Sequence, residues 1–117
     1  MSVTFGALVR RWCHEVPDPK RTDESALRQL YRCGTSVGAN IREAQFAEST
    51  KDFHHKLKIA EKELGEFYYW LGILHKQPPL AVTSSTIELE GAALQVRKMM
   101  RAAIKTTKEK LRKSAPQ

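Results

Sequence analysis

A chain of 117 residues, 41% of them hydrophobic, with six glycines and five prolines, is long enough for one domain with one core and too short for a second. No apolar run approaches the roughly 18 residues of a membrane span, and the opening MSVTFGALVRRW has neither the apolar stretch nor the cleavage site of a signal peptide, so a cytoplasmic protein without membrane association is expected. The formal charge of +7 belongs to one end: residues 97–113 hold eight Lys or Arg against Glu109 alone, and elsewhere acids and bases cancel.

Taken in order, Phe5, Leu8, Val9, Trp12, Cys13 and Val16 recur at helical spacing and predict a short first helix over about residues 2–15. Pro17 and Pro19 break it, because each removes a backbone donor and disfavours helix in the residue before it. Thr22 or Asp23 then caps a second helix, predicted over 23–47, whose apolar seam is Leu27, Leu30, Gly34, Val37, Ile41 and Ala44. Gly34 and Gly38 each cost about 1 kcal/mol against alanine in a helix. Four residues apart on the apolar side, they point to close approach of a neighbouring helix, whereas GTSVGAN lacks the lysine and the spacing of a phosphate-binding loop.

Ser49 or Thr50 caps a third helix over about 51–76, with Phe53, Leu57, Ala60, Leu64, Phe67, Leu71 and Leu74 as its buried stripe. Pro78 and Pro79 end it. Thr83 to Thr86 supplies the caps for a fourth helix over 83–112, buried along Leu89, Ala93, Val96, Met100, Ala103 or Ile104, Thr107 and Leu111. Arg97, Arg101, Lys105, Lys108 and Arg112 form a basic ridge beside that stripe, and residues 113–117 read as a flexible basic tail. Cys13 and Cys33 are isolated and read as reduced structural thiols.

Beside the apolar seam of helix two runs a polar one, in which Arg32, Ser36, Asn40 and Glu43 project within about 80° of one another at 100° per residue. Helix three carries a matching row, Ile59, Glu63, Glu66, Trp70 and Ile73. Two arrangements suit it: Arg32 and Asn40 docked against Glu63 or Glu66, between the two helices or across a subunit boundary, or ordinary surface pairs. Four helices joined by short links imply an all-α, antiparallel up-down-up-down four-helix bundle over residues 1–112.

The central stretch RCGTSVGANIREAQFAESTKDFHHKLKIAEKELGEFYYWLGIL resembles the signature of the 23S rRNA intervening-sequence protein family. The resemblance rests on the S-x-G-x-N-I-x-E-A run at Ser36 to Ala44, the S-x-x-D-F pattern at Ser49 to Phe53 and the K-E-x-x-E-x-x-Y-W-L pattern at Lys62 to Leu71. Members are bacterial four-helix bundles similar in fold to the accessory variability proteins of diversity-generating retroelements. The resemblance implies a barrel-shaped homopentamer and, through the retroelement relatives, binding of nucleic acid and of a reverse transcriptase by a basic surface. The short first helix, and Cys33 where a serine or alanine is expected, depart from the pattern.

The residues themselves offer no catalytic constellation. A di-iron bundle needs inward Glu-x-x-His pairs, but the residues three before His14, His54, His55 and His75 are Arg11, Lys51, Asp52 and Gly72. Adjacent histidines such as His54 and His55 diverge by about 100° and cannot clamp one metal ion. Glu43, Glu63 and Glu66 serve as acid or base only if crowded together, and pairing with Arg32 is the plainer role. Phe67, Tyr68, Tyr69 and Trp70 cover every side of one turn, more than such a core absorbs, so one or two belong at a subunit contact.

The expected protein is therefore a non-enzyme without metal, cofactor or small-molecule substrate. It partners itself and RNA or DNA, the latter through Arg97, Arg101, Lys105, Lys108 and Arg112, with a reverse transcriptase implied by the resemblance. A structural or protein-binding oligomer with no nucleic-acid role is the alternative.

Overall fold

The computed structural model describes residues 2–15, 24–76 and 83–115. They form four α-helices and no strand: α1 (Ser2–Glu15), α2 (Glu24–Gln45), α3 (Thr50–Leu74) and α4 (Ser84–Ser114). The proline breaks, the Thr22 or Asp23 cap and the last two residues of the expected tail lie outside the described residues. None of the described helices is long and apolar enough to cross a membrane.

Local chemistry sets the helix ends. Ser49 is the N-cap of α3, its hydroxyl accepting from the Asp52 amide at 3.0 Å. Thr83 and Thr86 close a reciprocal capping box that starts α4. Helix α2 stops at Gln45, two residues sooner than its spacing suggests; Phe46 and Ala47 donate instead to the carbonyls three residues back, and Phe46 is 74% exposed with no core to meet. At the other end α4 runs on through Ser114, into the segment expected to be loose. Arg112 and Lys113 in its last turn suit the negative end of the helix dipole, and Ala115, ahead of a proline, is extended.

Each helix packs against two others in a closed ring, α1 on α2, α2 on α3, α3 on α4 and α4 on α1. Cross-contacts give the directions. Arg32 meets Glu66 while Glu43 meets Lys56, so α2 and α3 run oppositely. Trp12, near the end of α1, bonds Thr86 at the start of α4. Phe67 lies at the centre, fully buried, edge-on to Phe5 at 5.5 Å and 3.3 Å from where a Cβ on Gly34 would stand. The close approach expected at Gly34 is thus made by α1 and α3 together, and Gly38 is also buried.

Cross-contacts also place neighbours along α4: α1 lies beside its first turns through Trp12 and Thr86, and α3 packs against it as well.

Candidate functional site

The five residues of the basic ridge are all exposed on α4, and Arg97 and Arg101 border the groove between α4 and α3. Arg97 lies over the ring of Tyr68, 6.0 Å from its centroid. Burial raises the Tyr68 phenol against the opposing pull of Arg97. Arg112 is paired with Glu109 on its own helix. Arg101, Lys105 and Lys108 have no ion-pair partner among the described residues, so their charge is free to meet a ligand.

One bond anchors this half of the helix. The buried Thr107 hydroxyl donates to the Ile104 carbonyl at 3.1 Å and so accepts from His54 Nδ1 at 2.7 Å, which ties the first turns of α3 to the last turns of α4. Periodicity placed Thr107 in the stripe but offered no sign of its partner, because His54 lies half a chain away.

Of the two arrangements left open for the polar rows of α2 and α3, Arg32 takes the first and reaches across to α3, but the rows do not form one network. Arg32 bonds Glu66 at 2.9 Å, Glu63 at 3.3 Å and Gln29 at 3.1 Å. Cys33, a free and buried thiol, donates to Glu66 at 3.3 Å. Asn40 does not reach either acid. Its amide donates to the Ser36 carbonyl at 2.9 Å and hydroxyl at 3.2 Å, one turn back on the same helix. The register set by Arg32 on Glu66 and Glu43 on Lys56 places Asn40 further along α2, away from both acids. Glu43 pairs with Lys56 at 3.0 Å instead of Arg32. Lys56 was missed although it lies seven residues before Glu63, on the same side of α3.

Within this seam the Glu66 carboxyl is held below its ordinary value, first by the bond from Cys33 and then by Arg32. The Cys33 thiol is pushed up to about 12, chiefly by burial and next by its bond to Glu66. Cys33, Glu63 and Glu66 bring three potential metal-ligand atoms within 4.8 Å of one another. Arg32 bridges both carboxylates, which makes the arrangement a salt-bridged clasp between α2 and α3. Of the four successive aromatics, Phe67 is core, Tyr68 and Trp70 are half-buried, and Tyr69 is 62% exposed.

Residues 5–102 match the family described as 23S rRNA-intervening sequence protein. Among solved structures, a protein with unknown function from the S23 ribosomal protein family of Bacteroides thetaiotaomicron is similar: 30% identical, TM-score 0.75, covering 89% of this chain and 94% of its own. No curated protein matches.

Proposed function

The chain belongs to the 23S rRNA-intervening sequence protein family, and we propose that it is a non-enzymatic helical-bundle protein that assembles with copies of itself and binds RNA or DNA through the ridge on α4. The observation that carries this reading is the unpaired charge of Arg101, Lys105 and Lys108 along the exposed flank of α4. Lysines and arginines that neutralise phosphates release counterions, which gives affinity without sequence preference and strong salt dependence. No side chain on the ridge is set to read base edges, which needs paired donors and acceptors in a groove.

Self-assembly is supported by the apolar side chains left in water on α3 and α4. Tyr69, Ile87 and Leu94 are 62%, 65% and 45% exposed, and aromatic and aliphatic side chains outside a core are what interfaces use. A homopentamer, the arrangement implied by the resemblance, multiplies the field of each ridge. A reverse transcriptase as partner and a cytoplasmic setting belong to the same reading; a reverse-transcriptase gene beside this one supports the former and its absence counts against it. The same exposed side chains favour the second reading, a structural oligomer that binds no nucleic acid.

The deciding experiment is the solution mass by light scattering together with titration of a short RNA at rising salt. A mass near five chains and binding that collapses with salt are expected. Arg101→Glu, Lys105→Glu and Lys108→Glu combined should abolish binding; undiminished binding by that variant overturns the ridge as the interface.

A further inference from the structure

We propose that the groove between α3 and α4 at Gly65 accepts an unpaired nucleobase, so that this surface prefers single strands to duplex. The inference deepens the nucleic-acid reading above and rests on it.

The groove has a volume of about 400 Å³, near the lower end of the roughly 300–1,000 Å³ typical of small-ligand sites. Its floor is apolar, made by Leu64 and Met100, which are 2% and 1% exposed. Tyr68 with Arg97 lines one part, Glu61 and Arg101 another. An apolar floor with a few polar groups at its rim suits a flat ring with a polar edge and not a bare phosphate.

Gly65 is the second observation. It sits inside a 25-residue helix, where glycine costs about 1 kcal/mol against alanine. A Cβ there would meet nothing within 4 Å, as at Gly72 and Gly91 and unlike Gly34, whose Cβ would strike Val9. Packing within the single chain does not require this glycine, and it lines the groove. Its missing side chain keeps the groove open along α3.

The rim chemistry agrees. The Arg97 guanidinium is planar and lies over the Tyr68 ring; bases stack on arginine planes as well as on aromatic rings. Glu61 is the one carboxylate in the groove, bonded to Lys58 at 3.0 Å. A carboxylate repels phosphate but accepts from the exocyclic amino group of a base. From Arg101, Lys105 and Lys108 continue about 6 Å and 10 Å along the helix at 1.5 Å per residue, a path for the flanking phosphates. Bases in a duplex are stacked inside it and cannot enter.

The test is fluorescence anisotropy of the full chain with a short unstructured RNA, the DNA of the same sequence and the corresponding duplex RNA, comparing wild type, Gly65→Leu and the triple charge reversal. Wild type should bind either single strand at least about tenfold tighter than duplex. Gly65→Leu fills the groove and should bring single strands down to the duplex level while leaving duplex binding unchanged and the melting temperature no lower than that of wild type. A 2-aminopurine placed in the single strand should lose its fluorescence change with the same variant. An unaltered single-strand preference in Gly65→Leu, with binding still abolished by the charge reversal, overturns the groove and leaves the ridge standing. Failure of wild type to bind any of the three overturns the ridge reading and the groove with it.

Discussion

A methyl group on Gly34 would stand 2.8 Å from both γ-carbons of Val9, closer than carbon atoms pack. Val9 is fully buried and its branched side chain is stiff, so it cannot turn away and α1 would have to move. Gly34→Ala is therefore expected to lower stability by about 1–3 kcal/mol, as overpacking does, despite the gain in helix propensity. Denaturant unfolding measures it, and Val9→Ala in the same chain should make the double variant more stable than the sum of the singles. An additive pair would show that the two residues do not meet.

Gly72 and Gly91 are the opposite case, exposed within α3 and α4 with nothing within 4 Å of a Cβ. Alanine at either should raise the stability of the isolated chain by up to about 1 kcal/mol. Where the variant also shows a smaller mass in solution, that glycine lies at a contact between copies.

The indole of Trp12 donates to the Thr86 hydroxyl at 3.0 Å in a buried site, and the same hydroxyl accepts from the Thr83 amide. Thr86→Val keeps the shape and removes both bonds. A loss of about 1–3 kcal/mol is expected from the unsatisfied buried donor, with most of it recovered by adding Trp12→Phe. A loss of the same size in the double variant would assign the effect to the helix cap alone.

Because the Glu66 carboxyl is held low by Cys33 and Arg32, the folded state binds its proton less readily than the unfolded one. Its contribution is present above the ordinary carboxylate range and disappears as pH falls through the lowered value. Arg32→Met should melt earlier than wild type at pH 7, and the gap should narrow toward pH 3. A gap that stays constant with pH would mean that Arg32 acts by packing its stem and not by charge.

Burial raises the Cys13 and Cys33 thiols from 9.0 to about 12. Folding therefore holds their protons, and the stability this represents is complete below pH 9 and lost as pH climbs toward 12. Melting temperatures of wild type should fall more steeply between pH 8 and pH 11 than those of Cys13→Ala. Alkylation at pH 8 should be much slower in the native protein than in urea; equal rates would contradict the burial.

Much of this architecture was legible in the sequence because it is written in short range. Leu57, Leu64, Phe67 and Leu71 recur at the helical period, so the buried side of α3 follows from spacing alone. Ser49 and Thr83 cap helices through bonds to residues three places on, within reach of any local reading. The basic run from Arg97 to Lys113 needed only counting.

What the sequence could not decide was register. Whether Arg32 or Asn40 reaches Glu66, whether Glu43 finds Arg32 or Lys56, and whether the Cys33 thiol meets a carboxylate depend on how far α2 slides and turns against α3. A shift of one residue turns a helix face by about 100°, and the periodic pattern is indifferent to it. Periodicity and composition by themselves determined four helices, their apolar faces and the end that carries the charge. Tertiary structure alone decided that Gly34 seats Val9 and that a groove lies open at Gly65, because those follow from close packing between residues distant in the chain.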